Sequence, residues 1–277
     1  MKSIKVALCQ LIPDFDINRS VEVATGMIKS AAENQAELVV LPEMFYHPFE
    51  LLSLRKINGQ EGAILEKLRE CARSCSVSIC TGSMAVQQDG RFFNRSYLID
   101  ESGRVRIHYD KCHLFDVNLP HLRTRESLVF TPGSSAPAVQ MSFGNVGIAI
   151  CYDIRFPEFI RSFALKGVEL LLVPAVFNDS TGPVHWSVMM QARAIENQMF
   201  IAAVSQGRNS KSSYRAYGHS MAVSPWGEIL CEASENEEVV YAVLNHETLE
   251  QTRKRLPLME HRRPDLYEKL NSDLALL

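Results

Sequence analysis

Apolar residues follow two periods along this chain. Ile4, Val6 and Leu8 alternate with their neighbours over 4–10, the period of a strand. Val21, Ala24, Ile28 and Ala31 recur at helical spacing, so a helix is expected to about residue 34, capped by Asn18 or Ser20. Segment 38–41 is continuously apolar, as in a strand covered on both faces, and stops at Pro42-Glu43. Helical spacing returns over 62–75, in Ile64, Leu68, Cys71 and Cys75. A strand over 77–86 follows, and Asp89-Gly90 marks a hairpin into 92–99. Ser102-Gly103 then turns the chain into a strand over 105–109, which ends at Asp110-Lys111.

The second half repeats the alternation. A strand over 146–150 ends at Cys151, Pro157 opens a helix, and Gly167 stops it. The buried strand 170–173 ends at Pro174, in a segment, "VELLLVPA", that occupies a slot comparable to the earlier "ELVVLPE". A helix over 184–197, a strand over 199–205, a hairpin about Pro225-Trp226-Gly227, a strand over 239–244 and a short helix complete the pattern. There are two β-α-β passes, no low-complexity linker and no repeat of solenoid length. The pattern predicts an α/β fold in one domain, 1–277, with two layered halves.

Composition narrows the function classes. Hydrophobic residues make up 46% and charged residues 22%, enough for a sizeable core. A net charge of −3 argues against a protein that holds nucleic acid or an anionic membrane by charge. No apolar run approaches the roughly 20 residues that span a bilayer. Lys5, Asp14 and Asp16 interrupt the first apolar stretch, unlike a secretory leader. The seven cysteines are an odd number, unlike a paired extracellular framework, and fit a reducing, cytoplasmic setting.

Three polar residues, Glu43, Lys111 and Cys151, stand just past predicted strands, where open α/β sheets place their ligands. Each alone has a plain structural reading: a solvated turn acid, a surface lysine, a packed thiol. Cys151 has the sharpest context, between an apolar strand and a helix whose dipole favours thiolate. The Tyr152 N–H there can face a developing oxyanion. Cys71, Cys75 and Cys80 lack a zinc spacing, so no metal is expected, and glycine-rich phosphate loops are absent. His113, His185 and His219 leave a Cys-His hydrolase as an alternative, although His185 beside Trp186 reads better as pocket lining.

Together "LVVLPEMF", "YDKCHLFD", "GIAICYDIRFPE" and "RESLVFTPG" resemble the nitrilase superfamily of carbon–nitrogen hydrolases. The resemblance runs through "FNDSTGPVHW", "QARAIENQ", "YGHSMAVSPWG" and "RRPDLY", essentially the whole chain. It implies a four-layer αββα sandwich, a homodimer, and a Glu-Lys-Cys triad that works without a cofactor. Glu43 is then the general base, Cys151 the nucleophile and Lys111 the oxyanion donor. Glu126 then holds Lys111 or the amide in register. "CHLFD" and the motifs after it are most similar to the ω-amidase branch. That branch implies hydrolysis of the terminal amide of a small 2-oxo dicarboxylic acid monoamide, 2-oxoglutaramate or 2-oxosuccinamate, through a thioester. The alternatives are deaminated glutathione, another small amide or N-carbamoyl compound, and a catalytically silent partner-binding module. A substrate carboxylate calls for a fixed cation, and Arg155, four residues past Cys151, is the candidate unless it pairs with Asp153 or Glu158. Phe45, Tyr46 and Phe177 are the expected apolar walls, with Asn178 and Thr181 as hydrogen-bonding groups.

Overall fold

The alternation in β1 (Ile4–Gln10) serves two cores at once. Ile4, Val6 and Leu8 enter a core shared with a second sheet, whereas Ala7 and Cys9 pack with Val21, Ala24 and Ile28 of helix α1 (Ile17–Glu33). The computed structural model describes residues 1–57, 59–119 and 122–268. After α1 come β2 (Leu38–Val40), the short helix α2 (Leu51–Leu54), α3 (Glu61–Cys75), β3 (Ser78–Cys80) and β4 (Met84–Gln88). They are followed by β5 (Arg91–Ile99), β6 (Val105–Asp110) and a separate hairpin, β7 (Asp116–Leu119) with β8 (Leu122–Arg125). The second half holds β9 (Ala138–Met141), β10 (Gly144–Ile148), α4 (Pro157–Leu165), β11 (Leu170–Ala175), α5 (Gly182–Asn197) and β12 (Phe200–Ser205). It closes with β13 (Met221–Val223), β14 (Ile229–Glu232), β15 (Glu238–Leu244) and α6 (His246–Arg255).

One sheet runs β15-β1-β2-β3-β5-β4, with β6 also on β5; the other runs β14-β13-β12-β11-β10-β9. The two inner faces meet in one core, where Val6 and Leu38 lie among Val146, Ile148 and Leu172. Helices α1 and α3 cover the outer face of the first sheet through Ile28 and Leu68, and α4 and α5 cover the second through Phe163, Trp186 and Met190. The result is the expected αββα sandwich. Burial of a side chain such as Ile28 or Leu68 contributes about 1.5–3 kcal/mol, so each outer helix is held mainly by its apolar stripe. Among the described residues, no helix is long and apolar enough to cross a membrane.

The sequence reading misses several details. The cap of α1 is Asp16, whose carboxylate accepts from the Asn18 N–H at 2.9 Å, and not Asn18 or Ser20. Ser20 is buried inside the first turn, where its hydroxyl accepts from the Asp14 N–H. The expected strand over 77–86 is split into β3 and β4 by Thr81-Gly82-Ser83. Gly82 has φ +68°, and a Cβ there would fall 1.9 Å from the Pro42 carbonyl oxygen. Strand β11 continues through Pro174, because β10 pairs with it only as far as Leu172 and the proline nitrogen lies past that ladder. The β7–β8 hairpin and β9 have no counterpart in the apolar pattern.

Candidate active site

Each of the three strand ends is shaped by its own backbone contacts. The turn carrying Glu43 follows β2 and is gripped from two sides. Ser83 Oγ accepts from the Met44 N–H at 3.1 Å, and Gln206 Nε2 donates to the Glu43 and Met44 carbonyls, each at 2.9 Å. Lys111 is the first residue past β6; its N–H donates to the Asn94 carbonyl and its carbonyl accepts from the Gly133 N–H, both at 2.9 Å. Gly133 is required there, since a Cβ would lie 2.1 Å from the Asp110 carbonyl oxygen. Cys151 opens a 3-10 turn over Cys151–Arg155 with φ +47°, a conformation that side chains rarely adopt.

Asp153 ties the cysteine turn to the lysine strand end. Its buried carboxylate accepts from the Ile150 N–H at 2.8 Å, the Tyr109 hydroxyl at 2.6 Å and the His113 N–H at 3.0 Å. His113 Nδ1 lies 2.7 Å from the same carboxylate, and the ring stacks on Phe156. His113 thus has a bracing partner, and His185 meets Arg155.

Three charged groups, Lys111, Glu43 and Glu126, form one buried cluster beside Cys151. Lys111 Nζ donates to Glu43 Oε1 and to Glu126 Oε2, both at 2.8 Å, and all three side chains are essentially without solvent contact. Glu43 Oε2 accepts from the Val176 N–H at 3.0 Å, and Glu126 Oε2 from the Phe115 N–H at 2.7 Å. Asn94 Nδ2 donates to Glu43 Oε1 at 2.7 Å and to Glu126 Oε1 at 3.0 Å. Burial works against the Lys111 ammonium, but the Glu126 and Glu43 carboxylates overcome it and hold it well above the usual lysine range. Burial raises the Glu126 carboxyl, against the pull of Lys111. Burial and the Glu43 charge push the Cys151 thiol well above its ordinary value, with Lys111 opposing. The thiolate expected from a helix dipole is therefore not the resting form: a short 3-10 turn does not offset burial beside a carboxylate. Such a thiol needs a base, and Glu43 is the carboxylate that faces it.

A cavity opens at Cys151, lined by Tyr152, Arg155, Phe177, Asn178, Thr181 and Tyr214 among others. Arg155 has no carboxylate partner among the described residues. Its guanidinium donates to His185 Nδ1 and Thr181 Oγ1, each at 3.2 Å, and lies 4.9 Å from the Phe177 ring centroid. Asp153 is engaged elsewhere, so the competing Arg155–Asp153 pairing is not formed. Phe45 and Tyr46 do not form the expected walls of this cavity. Neither is among the residues lining this cavity: both are buried in the core beneath α1 and α3, where the Tyr46 hydroxyl accepts from the Ala85 N–H at 3.1 Å. Phe115, Val176 and Tyr214 line the cavity as well, and the Tyr214 hydroxyl donates to the Val176 carbonyl at 3.1 Å.

Sequence reasoning passed over Asn94, Gln206 and Tyr214. The first two carried a readable signal: Asn94 is a polar residue on the buried face of a strand, and Gln206 directly follows an apolar one. Tyr214 lies in a polar loop whose course no periodicity describes.

A family model described as carbon-nitrogen hydrolase matches residues 5–254. "Nitrilase homolog 2" of Dictyostelium discoideum is 37% identical over 275 residues, 98% of this chain and 84% of its own length. The omega-amidase NIT2 of Homo sapiens is 36% identical over 272 residues, 96% of this chain and 98% of its own. Among solved structures, the NitFhit protein of C. elegans superposes with a TM-score of 0.90 at 32% identity, covering 96% of this chain and 66% of that one. Nit3 of Saccharomyces cerevisiae, described as a member of branch 10 of the nitrilase superfamily, gives 0.86 at 34% identity, covering 95% and 97%.

Proposed function

The chain belongs to the carbon–nitrogen hydrolase family and hydrolyses linear amides, and from that premise we propose that its substrate is the terminal amide of a short 2-oxo dicarboxylic acid, 2-oxoglutaramate or 2-oxosuccinamate. Arg155 is the observation that carries this reading. A guanidinium without a carboxylate partner among the described residues, on the wall of a cavity that ends at Cys151, suits the far carboxylate of such a substrate.

Glu43 takes the proton of the Cys151 thiol as the sulfur attacks the amide carbon. Lys111 and the Tyr152 N–H hold the oxyanion. The intermediate collapses to a thioester, the C–N bond breaks, and ammonia leaves with the proton from Glu43. Water, deprotonated by Glu43, then cleaves the thioester and releases the acid and the thiol. Glu126 keeps Lys111 in place.

Steady-state kinetics of Arg155→Met test the substrate assignment. KM for 2-oxoglutaramate should rise about 10- to 150-fold, the range for a lost hydrogen bond to a charged group, with a far smaller change for a neutral amide of similar length. Equal losses on both substrates would make Arg155 a brace for the Thr181 and His185 segment. We further propose a homodimer formed through the outer face of α5, where Val184, Val188 and Ile195 lie exposed near Trp226.

A further inference from the structure

We propose that Asn94 is a positioning residue that keeps the Glu43 and Glu126 carboxylates side by side in their charged form; this rests on the catalytic reading of the Glu43–Lys111–Cys151 cluster. Two buried carboxyl groups share one ammonium, so with both ionised the cluster carries more negative than positive charge. Asn94 spans the side of the pair that Lys111 does not close. The two N–H bonds of its Nδ2 reach Glu43 Oε1 at 2.7 Å and Glu126 Oε1 at 3.0 Å, so Lys111, Glu43, Asn94 and Glu126 form a ring. The backbone carbonyl of Asn94 also receives the Lys111 N–H, so a single residue of β5 contacts three members of the cluster.

The amide's other end supports this reading. Asn94 Oδ1 is buried and has no hydrogen-bond partner among the described residues. Buried acceptors are rarely left unpaired. Turning the amide over would set Oδ1 against two carboxylate oxygens, so the orphaned oxygen is the cost of aiming both N–H bonds at the acids. The side chain of Asn94 makes its hydrogen bonds to the two carboxylates and is not among the residues lining the cavity. Its effect passes through the carboxylates alone.

The sign of that effect follows from the neighbours. Glu43 faces Lys111 at the end of β6, Glu126 after β8, Cys151 after β10 and Tyr214 from the 206–220 loop; Glu126 faces Lys111 and Glu43. Lys111 is the one cation among them. Without the amide donors, an added proton becomes the remaining means of holding two carboxylates together. The protonated, inactive cluster then persists to higher pH.

The experiment uses Asn94→Ala and Asn94→Asp, the latter matching the shape of asparagine while adding an acid. Two pH profiles are recorded for each folded protein: iodoacetamide alkylation of Cys151, and kcat/KM for ammonia release from 2-oxoglutaramate. The acid limb of both should move up by about one to two pH units, the equivalent of a lost charge-assisted hydrogen bond. KM on the plateau should stay unchanged. An acid limb that coincides with that of the parent in a folded variant overturns the proposal, however slow the variant is. If Asn94→Ala does not fold, Asn94→Asp decides. A parent that is alkylated at Cys151 yet releases no ammonia overturns the substrate assignment, and the alkylation profiles still decide the role of Asn94.

Discussion

Cys151 combines a left-handed backbone with a thiol that resists ionisation, and neither property is local to the cysteine. The turn is held by the bond from the Ile150 N–H to Asp153, and the thiol is raised by burial beside Glu43. If Glu43 is the base, Glu43→Gln should lower kcat by about 10²- to 10⁴-fold in a folded protein. A near-parental kcat would remove Glu43 from proton transfer. Legibility at this scale depended on contrast: Glu43, Lys111 and Cys151 stand out as polar groups that end apolar runs, and the cluster places them together. Arg155 was undecided from sequence because its freedom depends on what Asp153 binds, and those partners lie as far away as Tyr109. Phe45 and Tyr46 lie in the core beneath α1 and α3, because nearness to Glu43 along the chain does not say on which side of a turn a ring falls.

At the scale of elements, the interruption between β3 and β4 does what an unbroken strand cannot. Thr81-Gly82-Ser83 lets the backbone approach Pro42 and supplies the hydroxyl that accepts from the Met44 N–H. Gly82→Ala therefore sets a methyl against the Pro42 carbonyl. We expect a loss of about 1–3 kcal/mol of stability, as for other strained backbone positions, together with a fall in kcat as Glu43 moves. Denaturant melts and kinetics on the same preparation check this, and lost stability with parental kcat would uncouple the break from the site. Long elements such as α1 and α3 are legible because each keeps one period for several turns, and β5 because Asp89-Gly90 marks the hairpin that leads into it. The β7–β8 hairpin was not, because Asp116–Leu119 and Leu122–Arg125 are too short and polar to show alternation, although Glu126 follows directly from them.

At the scale of the whole molecule, the sandwich leaves the outer face of α5 partly apolar, and this is where the proposed second copy would pack. Val188→Asp should shift the protein to half its mass in analytical ultracentrifugation, and an unchanged sedimentation coefficient would place the dimer contact elsewhere or remove it. Fold class was legible at this scale from the two β-α-β passes, while the stacking of the sheets entered only through resemblance, because periodicity describes each sheet and not which faces meet. That stacking has a consequence for how the protein fails. Glu43 and Lys111 follow strands of one sheet, and Cys151 follows a strand of the other. The Glu43 carboxylate and the Cys151 thiol thus approach each other only while two separately hydrogen-bonded layers stay pressed together. Turnover is then a gauge of the seam between them. Under gentle guanidinium, ammonia release should vanish at a lower concentration than the far-ultraviolet circular dichroism of strands and helices, since sliding the layers by little more than a bond length separates thiol from carboxylate without breaking a single ladder. Coincident loss of both signals would mean that the layers part only as their own strands and helices dissolve.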